Sequence, residues 1–195
     1  MVISNKKVLQ WKQGKTYKYC LGIDLALRKT GVALLDNKYQ FIMSNYFETT
    51  HSVENMINLC EEVTIKFIKI LEPYKEELKE ACVIIEHASV NWKFSFMLGM
   101  ISNILVNYFQ VKELRAISAN RWQVDLLRKK TFWNSSQIKE LSRDYFLQIE
   151  QKVKKERMVQ DEYDAYCIAT WGINKLFNNV EDDFEVIDDE EQEDN

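Results

Sequence analysis

The chain has 195 residues, 46% of them apolar, with only five Gly and one Pro. That is enough for one domain with a sizeable core, and it excludes collagen-like and low-complexity classes. The net charge of −4 hides an asymmetry: residues 181–195 hold ten acids and no Lys or Arg, which leaves 26 basic and 20 acidic side chains, a balance of +6, for residues 1–180.

A mildly basic body with an acidic tail is a pattern of nucleic-acid binders, and equally of a basic protein carrying a solubilising appendage. No stretch reaches the ~18 apolar residues of a membrane span. The polar N-terminus, with Lys6, Lys7, Lys12, Lys15 and Lys18, lacks the apolar core of a signal peptide. The expected location is therefore the cytoplasm, with no membrane partner. The cysteines agree: Cys20, Cys82 and Cys167 lie in apolar runs, Cys60 in a helical pattern, and none forms a C-x-x-C pair. His51 and His87 are not spaced as zinc ligands, so buried free thiols are expected.

In chain order, residues 1–16 read as a polar extension and 17–24 as a first strand. Residues 30–36 and 40–48 read as two more, with Asp36-Asn37-Lys38 suited to the hairpin between them. Val53, Ile57, Cys60, Val63, Phe67, Ile70 and Leu71 recur at helical spacing, and Pro73 ends that helix. Residues 81–86 are a fourth strand. Residues 94–110 are helical and apolar nearly all round, which predicts central burial or a subunit interface. Residues 113–117 form a fifth strand, with Ser118 placed to cap a helix beginning near Asn120. Ser135 or Ser136 is placed to cap a helix through Gln151, and 159–178 form the last helix. Residues 180–195 are an acidic tail too charged to fold alone. Three strands in a meander followed by alternating helices and strands predict an α/β fold, a mixed five-stranded β-sheet flanked by α-helices, over residues 17–179.

Three patches place carboxylates unusually. The apolar run Tyr19-Cys20-Leu21-Gly22-Ile23 ends on Asp24, and Ala81-Cys82-Val83-Ile84-Ile85 ends on Glu86. Asp161 and Asp164 open an apolar helical run and share the face continued by Ile168 and Gly172. Each acid has an ordinary explanation: a turn residue for Asp24, an edge acid for Glu86, a helix-dipole partner for Asp161 or Asp164. Together they suggest a cluster that needs divalent metal to neutralise it.

In these patches the chain resembles the RuvC branch of the RNase H-like nucleases, the Holliday-junction resolvases. The carrying residues are Gly22-Ile23-Asp24 and Thr30-Gly31, the strand-ending Glu86, Leu98-Gly99 in the long helix, and Asp161-x-x-Asp164-Ala165 followed by Ile168-Ala169. The resemblance spans roughly residues 17–178. Leu25-Ala26 stand where cellular resolvases have Pro-Gly, and Ser89 replaces an aromatic three residues past the Glu, which points to a phage-like or divergent branch, acting in the host cytoplasm if phage-encoded.

The resemblance implies an RNase H-like endonuclease that resolves four-way junctions by paired phosphodiester hydrolysis, leaving 5′-phosphate and 3′-hydroxyl ends. Four carboxylates can hold two Mg²⁺ ions (Mn²⁺ can substitute) about 4 Å apart, one activating water and one stabilising the leaving oxygen. Asp24 is the expected bridging ligand, completed by Glu86, Asp161 and Asp164. Paired cuts imply a homodimer. For DNA binding the candidates are Arg28 and Lys29 beside Asp24, Trp92, Lys93 and Phe94 just past Glu86, and Arg121, Arg128, Lys129 and Lys130. The last four open a segment, 121–157, with ten basic residues against five acids and with Trp122, Phe132 and Trp133 among them. Basic side chains neutralise phosphates and aromatics stack on unpaired bases, though the same pattern fits a solvated helical face with partly buried aromatics. A nuclease of the same fold acting on RNA or other branched DNA, or an inactive junction-binding protein, are the alternatives.

Overall fold

A computed structural model of the chain describes residues 17–50, 55–86, 92–128, 134–149 and 158–177. The N-terminal extension, His51, His87, Lys129, Lys130, Phe132, Trp133 and the acidic tail lie outside these residues.

The strands are β1 (Tyr19–Asp24), β2 (Lys29–Asp36), β3 (Phe41–Glu48), β4 (Ala81–Glu86) and β5 (Glu113–Ile117). They form one sheet in the order β3-β2-β1-β4-β5. β1, β2 and β3 are an antiparallel meander, whereas β4 and β5 run parallel to β1. The mixed five-stranded sheet expected from the strand pattern is thus present. The meander turns where Asp36 was placed to turn it: its Oδ1 accepts the amides of Lys38 and Gln40, both at 2.8 Å, and Tyr39 takes a left-handed φ of 65°.

The helices are α1 (Met56–Leu71), α2 (Lys75–Lys79), α3 (Trp92–Asn103), α4 (Ala119–Leu127), α5 (Ser135–Ile149) and α6 (Gln160–Phe177). Asn55 caps α1, and Pro73 lies in the short 3₁₀ turn that follows it. Ser118 occupies the N-cap position of α4 without a capping bond from its hydroxyl. At α5 the cap is Asn134, not Ser135 or Ser136: its Oδ1 accepts the Gln137 amide at 3.0 Å, and the Gln137 side chain accepts the Asn134 amide at 3.0 Å. This reciprocal box satisfies two end groups at once, which a lone serine cannot do. Among the described residues, no helix is long and apolar enough to cross a membrane.

Of the two readings of 94–110, central burial needs correction. The helix starts at Trp92 and widens into a π-helical turn over Ile104–Tyr108, closed by Gln110 at a left-handed φ of 60°. It is not buried centrally. Met97, Ile101, Ile104, Leu105 and Phe109 face the sheet, while Trp92, Val106 and Tyr108 are 62%, 48% and 40% exposed. All-round apolarity here reflects one buried face and one outward apolar face.

Two cores flank the sheet. Leu21, Ile23, Val32, Leu34, Val83 and Ile85 pack with α1 and α3 on one side. Cys20, Ala33, Leu35, Cys82 and Ile84 pack with α4, α5 and α6 on the other. The strand period of two assigns alternate residues to each side. Among the described residues the cysteines are free, and Cys20, Cys82 and Cys167 are buried, as expected.

Candidate active site

Asp24 and Glu86 are the last residues of β1 and β4. Because those strands are parallel and paired in register, the two acids stand opposite one another at the same sheet edge. The C-terminal ends of parallel strands are where open α/β sheets bind ligands. Asp24 has the same parity as Cys20, and Glu86 the same as Cys82 and Ile84, so both belong to the α6 side.

α6 brings the other pair. Its first turn carries Asp161, and Asp164 follows one turn on. The helix reaches the sheet because two glycines let it. A Cβ at Gly22 would collide with the carbonyl of Ala165, and one at Gly31 with the carbonyl of Asp161. The backbone of the acid-bearing turn therefore rests directly on β2, next to the strand that ends in Asp24. The Thr30 hydroxyl accepts the Ala26 amide at 3.4 Å and donates to the Ala26 carbonyl at 3.1 Å. Thr49 Oγ1 donates to the Leu27 carbonyl at 2.6 Å. These bonds hold the turn beside Asp24 in place.

The electrostatics show that the acids feel one another. Burial pushes the Asp24 carboxyl well above the usual range, reinforced by Glu86, Asp164 and Asp161 and opposed by Lys139. Asp164 is pushed up to about 6, first by burial, with hydrogen bonds from Ser142 and Gln160 pulling the other way. Asp161 is also raised, again first by burial, and is pulled down by its own amide, Lys29 and Lys139.

Two of the acids have neutral donors. Ser142 Oγ donates a short hydrogen bond to Asp164 Oδ1, and Gln160 Nε2 donates to the same oxygen at 3.0 Å. The Trp122 indole N–H donates to Glu86 Oε2. In this arrangement no three His, Cys, Asp or Glu side chains among the described residues surround a single point. The donor set is nevertheless all carboxylate oxygen at mutually repelling positions, which suits a hard divalent cation.

The sequence candidates distribute unevenly around this cluster. Lys29 pairs with Glu48 at 2.9 Å, lies over the Tyr46 ring and acts electrostatically on Asp161. Arg28 is exposed in the adjacent turn. Trp92 is largely exposed, with Lys93 against its ring and Phe94 half-buried, at the start of the helix that follows Glu86. Arg121 lies over the Trp171 ring, and Arg128 caps α4 in a left-handed conformation. Trp122, expected as a base-stacking aromatic, is only 1% exposed and cannot stack on DNA; the helical period turns it toward the sheet.

Four other residues were not singled out as site residues. Ser142, Gln160 and Lys139 come from α5 and the start of α6. Gln160 links them, since its amide also donates to the Lys139 carbonyl and to Ser142 Oγ. Glu162, between the two aspartates, is buried and turned away. It accepts from Ser44 Oγ at 2.9 Å and from the Val159 amide at 3.0 Å, as in a capping box. The serine-to-acid pairings have no local signal in the sequence. The helical face shared by 161 and 164 but not 162 does separate Glu162 from the aspartates.

No family model matches the sequence, and no curated protein matches it. Among solved structures, RuvC of T. thermophilus in complex with a Holliday junction substrate superposes with a TM-score of 0.60 at 13% identity, covering 83% of this chain and 97% of that one. A Ppx/GppA family protein of Aquifex aeolicus also matches, at 11% identity over 57% of this chain and 39% of that one, but its TM-score of 0.36 carries no weight. With its mixed sheet in the order β3-β2-β1-β4-β5 and helices on both faces, this chain has the RNase H-like fold of RuvC.

Proposed function

We propose that the chain is a metal-dependent, structure-specific endonuclease that resolves four-way DNA junctions. The observation that carries this reading is geometric: Asp24 and Glu86 stand in register at the ends of β1 and β4 of a RuvC-like sheet, and the turn of α6 that bears Asp161 and Asp164 rests on the neighbouring β2. The superposed relative was solved on a Holliday junction, which supports the choice of substrate.

In this reading Asp24, Glu86, Asp161 and Asp164 hold two Mg²⁺ ions. When bound, the ions supply Lewis acidity for attack of water on a phosphodiester and charge to stabilise the leaving oxygen. The protein's own groups do the rest. Half-buried Asp24 and Asp164 would present their oxygens to an ion from a partly desolvated setting. Ser142 and Gln160 orient Asp164. Lys139 partly balances the clustered negative charge. Arg28, Lys29 and the basic residues from Arg121 to Lys130 draw the phosphate backbone toward the cluster. Exposed Trp92 and half-buried Phe94, which follow Glu86 in sequence, would meet bases at a branch point. The outward apolar face of α3 and the π-helical turn after it, with Trp92, Val106 and Tyr108, is the candidate surface for a homodimer, which would supply two matched sites for paired cuts.

The test compares the purified chain and Asp24→Asn on labelled four-way junction, flap, duplex and RNA substrates with Mg²⁺. Symmetric paired cuts in the junction are expected, reduced about 1,000-fold or more in the variant, on the scale of losing a key electrostatic group in other sites. Junction binding should survive, because the amide removes a ligating charge and leaves the basic surface intact. Equal cleavage by both proteins would rule out the assignment of the site, and preferential cleavage of flap or RNA would move the substrate.

A further inference from the structure

α4 packs over the strand ends with Trp122 buried in the core it shares with Ile117, Leu127, Ile138 and Trp171. A buried tryptophan ring is ordinary core, and its N–H needs an acceptor. The acceptor here is Oε2 of Glu86, a side chain 36 positions away on the end of β4. One turn further along α4, Asp125 accepts the Trp171 indole N–H at 2.8 Å and pairs with Lys175 at 3.4 Å. The same short helix is thus tied to Glu86 at one point and to α6, which carries Asp161 and Asp164, at another.

We propose that Trp122 is a positioning residue for Glu86: its indole N–H holds one carboxylate oxygen and so fixes the plane in which the acid meets a divalent cation. The proposal rests on the four-acid reading of the site. The chemistry of the donor supports it. An indole is donor-only and uncharged, so it orients the carboxylate without cancelling its charge. A Lys or Arg in the same place would neutralise the acid and compete with a cation for it. Asp164 shows the same choice, with Ser142 and Gln160 as neutral donors. Groups that orient metal ligands from behind commonly change affinity by about 10–100-fold when lost.

Trp122→Phe keeps an aromatic side chain in the core and removes the N–H, at some cost in packing from the lost second ring. Mn²⁺ binding to the variant, measured by calorimetry at a temperature where it is fully folded, should weaken about 10–100-fold. Cleavage should fall at low Mn²⁺ and recover as Mn²⁺ is raised, which a loss of packing alone would not produce. In the parent chain, the ¹⁵N–¹H indole resonance of Trp122 should shift on Mg²⁺ titration with the same saturation as the binding isotherm, while that of Trp171 stays put. Unchanged Mn²⁺ affinity in a folded variant, or a Trp122 resonance that ignores bound Mg²⁺, would overturn the role. If Trp122→Phe does not fold, the resonance titration decides alone. A parent chain that binds neither ion would remove the four-acid reading and this role with it.

Discussion

On the α1 and α3 side of the sheet the strands present Leu21, Ile23, Val32, Leu34, Val83 and Ile85; on the α6 side the same strands present Leu35 and Ile84 but also the small residues Cys20, Gly22, Gly31, Ala33 and Cys82. Large branched side chains keep α1 and α3 at ordinary packing distance. Small ones let α6 come down until its backbone touches the sheet, and α6 answers with small residues of its own, Ala165, Ala169 and Gly172, the last 2.7 Å from Cys20 Sγ as judged by an added Cβ. Both strand-end acids share the α6 side. Close packing therefore has a second consequence there, since it delivers Asp161 and Asp164 to Asp24 and Glu86. One face is built for stability, the other for stability and for a set of mutually repelling carboxylates.

That contrast can be broken from either side. Phe67 on α1 is fully buried and packs edge-on against Phe47 at 6.1 Å. Phe67→Ala should cost about 3–5 kcal/mol of stability, yet leave cleavage per folded molecule nearly unchanged. Gly31→Ala should cost about 1–3 kcal/mol through overpacking. It should also lower cleavage about 100-fold at temperatures where the variant is fully folded, because a small displacement of reacting groups suffices for such losses. Denaturant melts paired with single-turnover assays check both. Equal activity losses from the two substitutions would erase the distinction between the faces.

The repulsion itself predicts a pH dependence. Asp164 titrates at about 6 in the fold against an ordinary value of 3.8, so the folded state binds this proton more tightly than the unfolded one. Its contribution to metal-free stability is fully present below about pH 3.8 and is lost as pH rises through about 6; Asp24, raised by burial and by its neighbours, acts in the same direction. Thermal melts with EDTA should show this loss, and Mg²⁺ should reverse it, with a stabilisation that grows over the same window. A Mg²⁺ effect independent of pH would argue that the acids do not share the ion.

The smallest effect is expected from the acidic tail. Truncation after Asn179 removes the ten acids of residues 181–195. It should tighten DNA binding at low salt and narrow the preference for junction over duplex, if the tail competes with phosphates for the basic surface. Unchanged anisotropy curves across a salt series would leave the tail as a solubilising appendage.

The pattern of strand-ending acids made the site legible in the sequence. Asp24 and Glu86 each close an apolar run, and parity assigns them to one face; Asp161 and Asp164 share a helical face for the same kind of periodic reason. The mixed five-stranded sheet followed from a meander and two later strands, while its strand order came only with the fold. Trp122 stayed open between stacking and burial because an aromatic among basic residues looks the same in sequence whether its helix turns it outward or inward. Ser142 and Glu86 bind partners 22 and 36 positions away, separations at which no periodicity operates. The glycines were visible only as motif letters, since close approach of a helix backbone is a property of the packed pair. For residues 94–110 central burial and a subunit interface both stayed open, because apolar content alone does not say which side meets the sheet.

The central claim is that the acids at the strand ends and the start of α6 form one metal-binding centre. Calorimetric titration of the purified chain with Mn²⁺, beside Asp24→Asn, tests it most directly. The account predicts saturable binding by the parent chain and a loss of about 100-fold or more in the variant, larger than the effect of removing a residue that merely orients a ligand. Identical isotherms for the two folded proteins, or no binding by either, would contradict it.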